Sequence, residues 1–170
     1  ILQLSHLDSV SETHAQPDME TVDLLDVAKA CVERQKLNAQ RSFISLTYLG
    51  ESARVLGNRD QLDELCQNLC DNAIRYNRPG GKVQLITSCT RDGHCTLTVK
   101  DNGIGIPKDA QSSVFERFYR VDKSRSKATG GTGLGLAIVK HIARIHNARI
   151  KLDSVVDEGT TITVIFETAS

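Results

Sequence analysis

Residues 58–76 read NRDQLDELCQNLCDNAIRY. At 100° per residue, Leu62, Leu65, Leu69 and Ala73 fall on one stripe, the pattern of a helix that lays an apolar face on a sheet. Asn58 is placed to cap its start, and Arg78-Pro79-Gly80-Gly81 ends it. Beside the apolar stripe runs a second one, with Asn68, Asn72 and Arg75 at i, i+4 and i+7. Asparagine is a poor residue for a helix interior, because its side chain competes for backbone hydrogen bonds. Two of them one turn apart, next to an apolar seam, have two readings. One is a pair of exposed asparagines tolerated by a stable helix. The other is a ligand site, in which amide oxygens take Mg²⁺ and the arginine meets a phosphate.

Working outward, Asp23 to Lys36 carries apolar residues at Leu24, Val27, Ala28, Cys31 and Val32, again a helical spacing. Residues 43–49 and 53–56 read as short strands. Lys82 to Thr90 and His94 to Lys100 alternate around Arg91-Asp92-Gly93, a hairpin signal. Residues 101–132 form a long stretch rich in Gly, Lys, Arg and Ser, with a short helical piece near Gln111–Phe115. Gly133 to Asn147 predicts a strongly apolar helix, and residues 148–155 and 160–167 a last strand pair. Interleaved helices and hairpins predict an α+β fold: a two-layer α/β sandwich whose mixed sheet of about five strands is covered on one face by three helices. Residues 1–19 are set apart from this unit. Ile1, Leu4, Leu7 and Val10 suggest the end of an amphipathic helix, and a polar linker with Pro17 follows. The chain starts without methionine and is expected to be part of something longer.

Two glycine loops flank the long stretch. Asp101-Asn102-Gly103-Ile104-Gly105-Ile106-Pro107 follows a strand, so a carboxylate stands at a strand end before glycines that let backbone approach a flat ring. Gly130-Gly131-Thr132-Gly133-Leu134-Gly135-Leu136 opens the last helix, where backbone N–H groups form an anion site. It lacks the Gly-Lys-Ser/Thr of a Walker loop and the spacing of a dinucleotide fingerprint. The cations Arg117, Arg120, Lys123, Arg125 and Lys127 precede it, and that placement favours a phosphate site over a merely solvated loop.

Composition excludes other classes. The 170 residues hold 21 Lys+Arg against 21 Asp+Glu, a net charge of zero, which argues against a nucleic-acid surface. No run is apolar enough to cross a bilayer, and none is expected to serve as a signal peptide. The five cysteines and five histidines show no metal-ligand spacing. All five cysteines are expected as reduced thiols, with Cys66 and Cys70 acting as small apolar residues one turn apart.

The asparagine helix, Asp-x-Gly-x-Gly, Phe115-x-x-Phe118 and Gly-x-Gly-Leu-Gly-Leu, in that order, closely resemble the catalytic ATP-binding domain of sensor histidine kinases. These share the Bergerat-type fold with Hsp90, MutL and DNA gyrase. The resemblance spans roughly residues 20–167, and Phe115-Glu116-Arg117-Phe118-Tyr119-Arg120 points to the kinases within the wider family, with some likeness to phosphate-sensing and cell-wall-sensing members. It implies the following roles. Asn72 ligates Mg²⁺ with Asn68 beside it, Arg75 contacts phosphate where the family has lysine, and Tyr76 packs near the nucleotide. Asp101 accepts the adenine amino group, Gly103, Gly105 and Ile106 line the ring, and Thr160 shares a water with the carboxylate. Residues 107–132, with Phe118, Lys123 and Arg125, correspond to a lid, and Gly131, Thr132, Gly133, Leu134, Gly135 and Leu136 to the phosphate loop. His146-Asn147-Ala148 departs from the usual His-Gly-Gly, with Asn147 able to close the helix.

The implied reaction is transfer of the ATP γ-phosphoryl to a histidine of a separate dimerisation domain, and then to an aspartate of a response-regulator receiver domain. Neither His6 nor His14 sits in the acceptor box, so the acceptor is expected elsewhere. The resemblance further implies a cytoplasmic domain of a bacterial inner-membrane sensor, homodimeric when whole and monomeric as this piece. A serine kinase of the anti-sigma-factor type and a non-catalytic nucleotide sensor are the alternatives on the same fold.

Overall fold

The computed structural model describes residues 18–115 and 135–167. In chain order its elements are β1 (Glu20–Asp23), α1 (Leu24–Arg41), β2 (Ser45–Gly50), β3 (Arg54–Gly57), α2 (Arg59–Arg75), β4 (Lys82–Cys89), β5 (His94–Asp101), a 3₁₀ turn (Lys108–Ala110), α3 (Gly135–Ile145), β6 (Arg149–Val155) and β7 (Gly159–Glu167).

The caps follow from the residues at the helix ends. Asn58 precedes α2, and its side-chain oxygen accepts from Gln61 N at 3.0 Å. Asp23 does the same for α1, accepting from Leu25 N at 3.0 Å; the same oxygen also takes Ala53 N at 2.9 Å, which ties the helix start to the chain before β3. α1 runs five residues past the expected Lys36, because Gln35 and Ala39 continue its buried stripe. Asn38 Nδ2 satisfies the buried Gln35 oxygen at 2.9 Å. After α3, Asn147 takes a left-handed φ of 53°, the closing role expected of it. His146 is buried, and burial holds its pKa below the usual histidine value. Its Nε2 accepts from Asn58 N at 3.0 Å, so the end of α3 is fastened to the start of α2.

The five-stranded sheet has the order β2-β4-β5-β7-β6, with β2 parallel to β4 and the other pairs antiparallel. The expected mixed sheet is therefore present. Alternation places Val83 and Leu85 of β4, Cys95, Leu97 and Val99 of β5, and Ile162, Val164 and Phe166 of β7 on the buried face. Against that face pack Leu24, Val27 and Cys31 of α1, Leu62, Leu65 and Leu69 of α2, and Val139 and Ile142 of α3, all in one core. β1 pairs antiparallel with β3 in a separate two-stranded ribbon, which the sequence reading missed because Glu20–Asp23 is short and polar.

Two expectations are corrected. Residues 111–115 are turns, and the local helical structure is the 3₁₀ turn before them. A single turn between Pro107 and a run of small polar residues is too short to hold an α-helix. The cysteines are not all thiols: Cys89 and Cys95 form a disulfide, while Cys31, Cys66 and Cys70 are free and buried. The reason is register. Cys89 stands directly opposite Cys95 across the β4–β5 hairpin, with Cα atoms 4.1 Å apart, a pairing that linear spacing does not reveal. Residues 1–10, His6, His14 and the basic stretch 117–127 lie outside the described residues.

The bridge closes a short loop, so it constrains the unfolded chain modestly, by about 2 kcal/mol. Denatured but unreduced protein is expected to show three titratable thiols and reduced protein five. Reduction should lower the free energy of unfolding by roughly that amount. Five thiols without reductant would contradict the pairing.

Candidate functional site

The site is built around the end of β5. Asp101, the last residue of that strand, turns its carboxylate inward, where Oδ1 accepts from Gly103 N at 2.9 Å and from Thr160 N at 3.3 Å. Burial pushes its pKa up to about 6, against the lowering effect of those two hydrogen bonds. Such a carboxylate has one oxygen occupied by the protein and is ready to accept from a donor brought to the other.

The loop after it is sewn to three elements. Ile104 N donates to Tyr76 O at 3.1 Å, at the C-terminal end of α2. Lys82 N, at the start of β4, donates to Asn102 Oδ1 at 2.7 Å. Ile106 N donates to Ser154 Oγ on β6 at 2.8 Å, and Asp157 N, in the β6–β7 turn, donates to Ile104 O at 2.8 Å. Two glycines make this possible. A Cβ on Gly103 would lie 2.5 Å from Tyr76 O and 3.0 Å from Asp101 Oδ1. Gly105 has φ +74°, and a Cβ there would come within 2.2 Å of Val155 O. Both positions exclude a side chain, whatever the loop binds.

Thr160 is buried, and its hydroxyl pairs with Ser154 Oγ at 2.7 Å; its backbone, not its hydroxyl, meets Asp101. Ile106 joins Ala110 and Val114 in a small apolar cluster, with Phe115, Leu136 and Leu152 partly buried against it. The structure thus brings together Asp101, Gly103, Gly105, Ile106 and Thr160, with Tyr76 alongside through its backbone.

Asn68 and Asn72 are half-buried on α2. The turn from Asn72 leads directly to Tyr76, whose N–H donates to Asn72 O, so the asparagine stripe runs up to the loop that Asp101 opens. Asn68 faces the start of α3, its Oδ1 3.9 Å from where a Cβ on Gly135 would stand. Arg75 is engaged in an ion pair with Asp71, Nη2 to Oδ2 at 3.0 Å, and so is held at the helix end beside the site. Of the expected site residues, Phe118, Lys123, Arg125, Gly131, Thr132, Gly133 and Leu134 lie outside the described residues.

Sequence reasoning missed three supporting residues. Asn77 is buried, its Oδ1 taking Arg78 N at 2.7 Å and its Nδ2 reaching Lys82 O at 3.1 Å. Ser154 links Ile106 to Thr160, and Asp157 carries the Ile104 contact and a 2.6 Å ion pair with Arg78. Only Asn77 left a signal, standing just before the Arg-Pro-Gly-Gly turn.

Among the described residues no group of three or more His, Cys, Asp or Glu could hold a metal ion. The available donors are the amide oxygens of Asn68 and Asn72. One or two neutral oxygens suit Mg²⁺, which keeps several waters and takes further ligands from phosphates. Asn68 Nδ2, shielded from solvent and without a partner among the described residues, leaves that side chain uncommitted to the fold alone. Amide oxygens could contribute to the shell of such an ion, with water and phosphate completing it.

The model of the histidine kinase-, DNA gyrase B- and HSP90-like ATPases matches residues 57–170. A sensor-like histidine kinase, SenX3 of Mycolicibacterium smegmatis, is 45% identical over 165 residues, covering 96% of this chain and 42% of that protein. The chain therefore spans less than half the length of this curated relative. Among solved structures, the mycobacterial sensor histidine kinase MprB has a TM-score of 0.75 at 31% identity, over 88% of this chain and 97% of the other. The full-length ShkA in complex with AMPPNP has a TM-score of 0.78 at 24% identity, over 91% of this chain and 32% of the other, a likeness of fold.

The raised pKa of Asp101 has a consequence for stability. A carboxyl titrating near 6 when folded and near 4 when unfolded stabilises the fold while protonated. That contribution is complete below about pH 4 and lost as pH rises through about 6. Asp101→Asn removes the loss. Relative to wild type, the variant should gain on the order of 2–3 kcal/mol between pH 4 and pH 8, measured by urea unfolding. Parallel pH profiles for the two proteins would overturn the assignment.

Proposed function

The chain belongs to the histidine kinase-, DNA gyrase B- and HSP90-like ATPase family, and from that premise we propose that it is the ATP-binding catalytic domain of a two-component sensor histidine kinase. The observation that carries this reading is the Asp101 carboxylate, half-buried at a strand end, with one oxygen held by Gly103 N and Thr160 N and glycine backbone beside it. Adenine presents an amino group on the edge that such a carboxylate reads. Gly103 and Gly105 let the loop close against Tyr76 and Val155, which would set its backbone beside the ring, and Ile106 would offer it an apolar wall.

The phosphates then lie toward α2 and the start of α3. Asn68 and Asn72 would hold Mg²⁺ through their amide oxygens, and Arg75 would exchange its Asp71 partner for a phosphate oxygen. A bound Mg²⁺ neutralises charge as the γ-phosphoryl is transferred. In that step the bond from phosphorus to the β,γ-bridging oxygen breaks, a bond to an imidazole nitrogen forms, and ADP leaves. A neutral imidazole is already a nucleophile, so the domain's task is positioning and charge neutralisation. The histidine would come from a dimerisation domain of the same protein, and the phosphoryl would pass on to a receiver aspartate. The domain would lie in the cytoplasm beneath a bacterial inner-membrane sensor. No helix among the described residues is long and apolar enough to cross a membrane.

Guanine presents a carbonyl where adenine has its amino group, so the site should prefer ATP to GTP. A hydrogen bond to a charged group is worth roughly 1.5–3 kcal/mol, so Asp101→Asn should weaken ATP binding on the order of 10- to 100-fold. Isothermal titration with ATP, ADP and GTP measures both effects. Given γ-labelled ATP, the chain should leave itself unlabelled and label a cognate dimerisation domain. Equal affinity for ATP and GTP, or stable labelling of His6, would overturn the proposal.

A further inference from the structure

Four side-chain atoms along α2 and α3 are shielded from solvent and have no hydrogen-bond partner among the described residues: Gln61 Oε1, Glu64 Oε1, Asn68 Nδ2 and His141 Nε2. Three of these residues stand on α2 at i, i+3 and i+7, which places them on one face. The fourth is on α3, and the two helices run antiparallel. Gly135 at the start of α3 lies against Asn68, while His146 just past its end bonds to Asn58 at the start of α2. Six residues beyond Gly135, His141 falls level with the turn from Gln61 to Glu64.

A buried polar atom left unpaired costs about 1–3 kcal/mol, so a group of four at one helix pair calls for an account. Their chemistries are complementary. The Gln61 and Glu64 oxygens accept, Asn68 Nδ2 donates, and His141 Nε2 donates in the tautomer that carries its proton there. Two are donors and two are acceptors.

We propose that Glu64 and His141 are positioning residues for the nucleotide site, with Glu64 accepting from Asn68 Nδ2 and His141 Nε2–H through bridging water, and so setting the way the Asn68 amide faces. An asparagine amide can stand with oxygen and nitrogen exchanged, and only its partners decide between the two. An acceptor one turn back along α2 draws Nδ2 into the helix seam. Oδ1 is then left toward the start of α3, where its approach to Gly135 places it. An oxygen there serves a cation or its bound water, and a nitrogen would not. The inference rests on the reading of Asn68 as part of the Mg²⁺ and phosphate site, and it adds the residues that orient it.

The test has an arm without nucleotide and an arm with it. In ¹⁵N-labelled protein, the Asn68 side-chain amide resonances, identified by their loss in Asn68→Asp, should shift and exchange faster in Glu64→Leu. Glu64→Gln keeps an acceptor oxygen and should restore them. With ATP, the Mg²⁺ concentration for half-maximal binding should rise about tenfold in Glu64→Leu, the loss of roughly one net hydrogen bond. Affinity for ATP without Mg²⁺ should be unchanged, because Asp101 is untouched. His141→Leu removes the second donor and repeats the test should Glu64→Leu fail to fold. Unaltered Asn68 resonances in a folded Leu variant would overturn the inference. A wild type that binds no Mg²⁺-ATP, with the resonances behaving as expected, would instead overturn the nucleotide reading and the role of the seam in it.

Discussion

A carboxylate half-buried at the end of an interior strand is the constraint around which the rest of the site is arranged. Asp101 lies on β5, between β4 and β7, so its backbone is held on both sides. The polypeptide must then leave the sheet at once, because Gly103 N has to turn back to the carboxylate oxygen. That turn brings backbone against Tyr76 O at the end of α2 and Val155 O at the end of β6, and no side chain fits at either contact. Strand end, helix end and the β6–β7 turn are in this way fixed relative to one another by one acidic group and two glycines.

The arrangement has an energetic cost in the unliganded protein. Burial raises the Asp101 pKa to about 6, so near neutral pH the fold carries a charge it would hold more cheaply in water. Two backbone N–H groups offset part of that, and a ligand donor would offset more. Stability given up at a place where a partner restores it is common at binding sites. A second instance lies along α2, where polar atoms of Gln61, Glu64 and Asn68 are shielded without partners among the described residues. The face of the helix that meets the sheet is apolar and packed, and the face that meets α3 carries these polar side chains.

Much of this was legible in the sequence. The apolar stripe of α2, its Asn58 cap, the β4–β5 hairpin and the strand-end carboxylate followed from periodicity and turn chemistry, which are local signals. What escaped was set by register and by contacts between distant segments. Cys89 and Cys95 pair because a hairpin puts them opposite each other, and no spacing rule for motifs contains that fact. Ser154 and Asp157 support the loop from a hairpin some fifty residues later in the chain, and a serine or aspartate near a turn looks the same whether or not it does so. The length of α1 was underread because its last buried positions are Gln35 and Ala39, one polar and one small. Thr160 was expected to share a water with the carboxylate; the contact in the structure is a backbone one, Thr160 N to Asp101, while the hydroxyl serves Ser154.

The most direct test of the account is a titration of Asp101 itself. The ¹³Cγ resonance of this residue, followed by NMR from pH 3 to 9, should show an inflection near 6 in the free protein. Saturating ATP should move that inflection to lower pH, since a donor from the adenine edge favours the ionised form. An inflection in the ordinary carboxylate range near 4, or one that ATP leaves in place, would contradict the claim that a half-buried Asp101 reads the nucleotide.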